Sequence, residues 1–304
     1  YFKAGENSDR GGNLWRGDSG YLGVTKGSFE NPLFDALEEA GTQSGQGHSE
    51  DLNGFKPEGI ARLDATRKNG RRCSAAVAHL RPALARGNIT LITRAHVEKI
   101  NISGNSATGI SYRYKGKNQS VEANKEVILS GGAINSPHLL MLSGIGPSAH
   151  LQEHGIETQI NLPGVGQNLQ DHATVILQYA CKKSFPIHKV DQPHRKLATG
   201  IQWIFTRKGM ATSNIWEAGG LIKSDANAEY PDIQYHFGPV GFEINGTKIS
   251  LLQAFAIHVD QLRPRSRGQI TLKSANPSDK PLMTFNYLQD PKDLSEIVNG
   301  FKKA

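Results

Sequence analysis

The stretch Glu126-Val127-Ile128-Leu129-Ser130-Gly131-Gly132-Ala133-Ile134-Asn135-Ser136-Pro137-His138-Leu139-Leu140-Met141-Leu142-Ser143-Gly144-Ile145-Gly146 decides how this chain is read. Val127, Ile128 and Leu129 form an apolar run short enough for a buried strand. The run ends at Gly131-Gly132, where missing side chains permit a tight turn and a close approach of the backbone. Ser136 and Pro137 suit the N-cap and first position of a helix, and Leu139, Leu140 and Leu142 supply its buried side. A strand, a glycine turn and a helix start is the arrangement in which backbone amides face a bound dinucleotide, although any α/β domain contains such turns.

Two neighbouring glycine motifs are decoys. Gly144-Ile145-Gly146-Pro147-Ser148-Ala149 matches a dinucleotide fingerprint in letters but follows a helix instead of a strand. Gly164-Val165-Gly166 matches only the first half, with Leu169 where the third glycine belongs.

Upstream, residues 88–130 read as a β-rich meander, with runs at Ile89 to Thr93, Val97 to Ile102, Ala107 to Tyr114 and Glu126 to Leu129 between glycine turns. Earlier still, Asn31 caps a helix with Pro32 at its first position, and Gly41 stops it. Ser74 caps a second, short helix ending near Pro82. Downstream, Thr174 to Tyr179, Ala218 to Ile222 and Ile233 to Phe237 read as strands. Leu162-Pro163-Gly164 marks the division into residues 1–165 and 166–304.

The 304 residues, 37% hydrophobic and 21% charged, describe a globular, loop-rich chain with room for two cores. The net charge of +7 is scattered, so a nucleic-acid partner is not expected. Cys73 and Cys181 have no metal-ligand neighbours at useful spacing, which excludes a disulfide framework and a metal site and makes a reducing compartment the default. No apolar run is long enough for a membrane span. The start at Tyr1 and the helix-like end from Leu294 to Ala304 read as an internal segment of a longer chain.

Residues 131–146 resemble the second signature of the glucose-methanol-choline family of FAD oxidoreductases, and Leu162-Pro163-Gly164-Val165-Gly166-Gln167-Asn168-Leu169-Gln170-Asp171-His172 resembles the segment that follows it. Within the family, Asn31 to Ala36, Asp51 to Phe55, Trp216 to Gly220, Pro231 to Phe237, Arg265 to Gly268 and Phe285 to Tyr287 are similar to members that oxidise choline. The resemblance implies an α/β chain, α+β overall: the later part of a doubly wound FAD-binding domain (1–165) and a substrate domain on an antiparallel sheet (166–304). It also implies FAD as cofactor and a primary alcohol as substrate, with choline giving betaine aldehyde by hydride transfer to the flavin. Another alcohol, or a non-catalytic segment, is the alternative. The electron acceptor is left open, as is a cytoplasmic place or one peripheral to a bacterial inner or mitochondrial membrane.

The resemblance places the first glycine-rich βαβ unit before Tyr1 and the catalytic His with its partner after Ala304, so none of the 11 histidines is given a catalytic role and the segment alone is expected to be inactive. Val97 is the first cofactor-contact candidate, with plain sheet core as its bland reading. Gly131, Gly132 and Ala133 line the dinucleotide fold or merely turn the chain. Asn168, Asp171 and His172 sit at the domain junction. For substrate, Glu217 is a carboxylate on an otherwise apolar strand face, costly there unless paired. It supplies the negative charge that a quaternary ammonium needs, with Tyr235 or Phe237 as aromatic wall and Trp216 on the opposite side, or it is an edge-strand salt-bridge residue. Arg263 lies near the pocket by resemblance, or is a surface arginine.

Overall fold

The computed structural model describes residues 1–304. In chain order its main elements are α1 (Pro32–Gln43), β1 (Gly59–Arg62), β2 (His96–Ser103), β3 (Ser106–Tyr114), β4 (Lys117–Glu122), α2 (Gly132–Leu142) and β5 (Gln167–Leu169). There follow β6 (Thr174–Ala180), α3 (Pro193–Thr206), β7 (Ala218–Ile222), β8 (Ile233–Gly238), β9 (Ala254–Gln261), β10 (Gly268–Thr271), β11 (Leu282–Thr284) and α4 (Pro291–Lys303).

The chain divides into two units: Tyr1–Thr90 with His172–Arg263 and Leu294–Ala304, and Leu91–Asp171 with Pro264–Asp293. Each is assembled from separated segments, where the sequence suggested a single cut near 165.

The first unit is built on a five-stranded antiparallel sheet in the order β6-β9-β8-β7-β1. Strict alternation along β8 buries Ile233, Tyr235 and Phe237 on one face and leaves Gln234 and His236 on the other. Two helices cover the apolar face, and each approaches through a glycine. A Cβ on Gly41 of α1 would stand 2.4 Å from Ile60, and one on Gly300 of α4 would stand 2.9 Å from Ile233. Gly41 is therefore a packing residue inside α1, not its stop. The helix does begin as its sequence dictates, with Asn31 Oδ1 accepting the Leu33 N–H at 3.0 Å. Ser74 likewise accepts the Val77 N–H, but a π turn over Ala76–Leu80 carries the chain past Pro82 into a short helix, Arg81–Ala85.

The second unit holds the sheets β2-β3-β4 and β5-β10-β11. Met141 on α2 packs with Leu151, Ile270 and Leu272 to form its buried core. Two expected strands are absent. Residues 89–93 form no strand, and residues 126–130 pair with nothing, leaving Ile128 79% exposed. An apolar run becomes a buried strand only where neighbours complete its backbone hydrogen bonds. The helix after it begins at Gly132, not Ser136, because Gly132 at φ +78° turns the chain early. Pro137 consequently lies inside α2, where it forgoes one helical hydrogen bond. Among named strands, parallel pairing is confined to Glu6–Ser8 with Leu22–Lys26 and Ile145–Gly146 with Ile160–Asn161.

Candidate functional site

In the second unit, β2 is an edge strand, so half of its backbone groups point away from β3. Part of that edge is met by α2: the Ile100 N–H donates to Ser143 Oγ at 2.8 Å, and the Ser143 hydroxyl donates to the Leu139 carbonyl. Beside this contact lies an open hollow of about 570 Å³, lined by Val97, Ile100, Ser130, Gly131, His138 and Leu139 among others. A bulge between Val97 and Lys99 re-aims the strand there. Burial, with the charge of His96 adding to it, holds the His138 imidazole below its ordinary range.

This hollow brings Val97 and Gly131 together. Gly132 forms the bend beside them, whereas Ala133 borders a different hollow of about 440 Å³ along Gly164 to Gln170, which includes Asn168. No side chain caps the start of α2, so its first N–H groups are open to an acceptor, and the hollow is lined by apolar Val97, Ile100 and Leu139 together with polar Ser130, Asn135 and His138. The residues present suit one edge of a flavin dinucleotide. Asp171 is committed to Tyr287, whose hydroxyl donates to it at 2.5 Å and is pushed up to about 12 by that bond.

In the first unit, Glu217 precedes β7 and is 2% exposed. Its Oε2 accepts from the Phe29 N–H at 2.7 Å and from Arg62 Nη2 at 3.1 Å, and Oε1 lies 3.5 Å from Arg67 Nη1. Arg67 also donates to the carbonyls of Thr212 and Lys26, and Arg62 stacks 4.4 Å above the Phe34 ring. The carboxylate is thus paired, as burial requires. Two guanidinium groups outweigh its charge, however, and this corrects its reading as the negative charge for a cationic substrate. Tyr235 and Phe237 border a separate hollow of about 440 Å³ together with Leu33, Ala36 and Leu37 of α1. Both aromatic residues lie on the helix-covered face, where the Tyr235 hydroxyl donates to the Gly300 carbonyl at 3.0 Å and the Phe237 ring meets Phe34. Burial alone pushes the Tyr235 phenol well above its usual range. Arg263 is exposed over the Tyr230 ring at 5.4 Å, which is the surface reading.

The face of the same sheet away from these helices carries what the sequence reading passed over. Trp216, pointing away from Glu217 as expected, packs its indole edge-on against His258 with ring centroids 4.5 Å apart. Together with Asn214, Gln234, His236, Arg62 and Asp64 it lines a hollow of about 330 Å³. His236 Nδ1 lies 2.6 Å from Asp260 Oδ2, and the Thr174 hydroxyl donates to Asp260 Oδ1. Burial would raise the Asp260 carboxyl, but the hydrogen bonds from His236 and Thr174 and the nearby imidazole charges prevail and lower it. The alternation of Gln234 and His236 against Tyr235 and Phe237 was a signal for this face. Its partners on β6 and β9 were not visible without the strand order.

A two-unit α/β chain with this antiparallel sheet is the fold of FAD-dependent oxidoreductases already solved. An FAD-dependent oxidoreductase from Chaetomium thermophilum superposes with a TM-score of 0.86 at 22% identity, over 99% of this chain and 61% of that one. Formate oxidase from Aspergillus oryzae, a protein studied for modification of its FAD, gives 0.83 at 25% identity over 94% and 55%. The chain belongs to the GMC oxidoreductase family, whose N-terminal model matches residues 2–174 and whose C-terminal model matches residues 264–304. It is 42% identical over 306 aligned residues to the oxygen-dependent choline dehydrogenase of Staphylococcus xylosus, covering 100% of this chain and 54% of that protein. It is 43% identical over 297 residues to that of Brucella ovis, covering 98% and 54%. The chain therefore spans about half the length of the curated relatives it matches.

Proposed function

We propose that the protein to which this chain belongs is an FAD-dependent alcohol oxidoreductase that converts choline to betaine aldehyde. The observation that carries the reading is identity of 42% to an oxygen-dependent choline dehydrogenase along the whole of this chain, not within one motif. The flavin, when bound, supplies the acceptor for the hydride that leaves the alcohol carbon. Val97 and Gly131 contribute an edge of its site. The alcohol is held in the hollow on the sheet face away from the helices, with the Trp216 ring as an aromatic wall for a quaternary ammonium, which has no N–H to donate. His236 supplies the polar contact for the hydroxyl. Dioxygen is the proposed electron acceptor, by likeness to the relatives' name.

The full-length protein is expected to purify yellow and to consume oxygen when given choline. It should discriminate against the uncharged alcohol in which carbon replaces nitrogen. A colourless protein sinks the flavin reading, and equal turnover of the two alcohols sinks the choline reading in favour of another substrate. The 304-residue chain by itself is expected to be inactive, and choline-dependent dye reduction by it would overturn that.

A further inference from the structure

Among the polar groups of the sheet face away from the helices, one set is arranged in a chain. Thr174, Asp260 and Gln234 share one row across β6, β9 and β8, and Ile176, His258 and His236 share the next. Asp260 has a side chain 10% exposed, while that of His236 is 37% exposed. A buried, ionised carboxylate can only accept hydrogen bonds. One of its oxygens takes the Thr174 hydroxyl proton, so the other must take the proton on His236 Nδ1. That choice settles the tautomer: with hydrogen on Nδ1, the neutral ring keeps its lone pair on Nε2. His236 borders the hollow shared with Trp216, Asn214 and Gln234.

We infer that Asp260, seated by Thr174, is a positioning residue that holds His236 in the Nδ1–H form so that Nε2 accepts the hydrogen bond of the substrate hydroxyl. The inference rests on the proposed function above, since it takes the hydroxyl to be that of the alcohol. No covalent step is assigned to His236. It orients the hydroxyl and leaves proton removal to other groups. His258 stands beside it with its own Nε2 buried and without a partner in the protein, and so does not compete for Asp260 through that atom.

Nitrogen-15 NMR of selectively labelled histidines in the full-length flavoprotein, with His236 assigned through His236→Gln, tests the arrangement. The wild type should show the Nδ1–H tautomer, and an Nε2–H tautomer overturns the proposal whether or not Asp260→Asn folds. Asp260→Asn should populate the other tautomer and lower kcat/KM for the alcohol by about tenfold or more, as expected for loss of a hydrogen bond to a charged group. Thr174→Val should shift both readouts the same way by less. If His236→Gln leaves kcat/KM unchanged, the alcohol does not bind at this face, and the proposed site fails with the inference. If His236→Gln is impaired but Asp260→Asn changes neither tautomer nor kcat/KM, the positioning role alone fails.

Discussion

Glu217 and Arg67 form an ion pair with side chains 2% and 6% exposed, bridging positions 150 apart in the sequence. Arg62 shares the carboxylate, so the group ties the loop before β7 to the first β-rich segments of the unit. Removing one partner of a buried pair leaves a charge with no counterpart in low dielectric. Glu217→Gln keeps the shape and an acceptor but strands that charge, and should destabilise the protein by about 3 kcal/mol. The check is the urea midpoint. A midpoint within error of the wild type would mean that solvent reaches Arg62 and Arg67. The same variant should still discriminate between choline and its uncharged analogue, because the carboxylate faces arginines; lost discrimination would restore its role in substrate binding.

Two helical glycines should respond to alanine with opposite signs. Gly41 in α1 has Ile60 Cγ1 at 2.4 Å from the site of a Cβ, whereas Gly200 in α3 has no atom within 4 Å. Overpacking costs about 1–3 kcal/mol and exceeds the gain in helix propensity, so Gly41→Ala should lower stability. Gly200→Ala meets no obstacle and should raise stability by about 0.5–1 kcal/mol. Thermal unfolding of the pair reads both, and shifts of the same sign would contradict the close approach of α1 to the sheet.

What could be read without the structure was local. The bounds of β7, the cap at Asn31 and the opposition of Trp216 to Glu217 follow from neighbours in sequence. Residues 126–130 misled because an apolar run carries no record of whether partner strands flank it. Gly132 was placed in the turn correctly, but its positive φ and hence the early start of α2 are backbone facts that glycine permits without dictating. The pairing of Glu217 with Arg62, 155 positions away, and of His236 with Asp260 depended on strand order, which short-range periodicity does not encode. Family resemblance identified the chain, and only the arginines showed that Glu217 is already neutralised.

Acid should destabilise the first unit in two stages. Burial holds the His258 imidazole below its ordinary range, with Asp260 opposing that shift and His236 reinforcing it. A base with a depressed folded-state pKa is protonated more readily when unfolded, so stability falls as pH drops below about 6.5 and levels off once the folded imidazole also titrates. Asp260 acts at lower pH. Its folded pKa is depressed, so its contribution is present above about 3.9 and is lost as pH falls through the folded value. Urea midpoints measured between about pH 7 and 5 should decline for the wild type and decline less for His258→Phe. An unchanged slope in the variant would assign the first stage to other groups, His138 in the second unit being the next to test.

Gly132 offers a way to separate backbone strain from cofactor contact. It and Gly155 both have positive φ, +78° and +69°, and neither has an atom within 4 Å of the position a Cβ would take. Alanine at either site meets the same left-handed backbone cost, about 1–2 kcal/mol, with no steric clash. They differ in surroundings: Gly132 starts the uncapped end of α2 beside Gly131 and the hollow that Val97 lines, while Gly155 follows the short helix Ser148–Glu153. In the full-length protein, Gly132→Ala should therefore purify with less flavin per polypeptide than Gly155→Ala at matched loss of stability, read from visible absorbance against protein concentration. Equal flavin content would reduce the Gly131-Gly132 turn to a fold element and leave Val97 as the residue of this segment to be tested for contact with the cofactor.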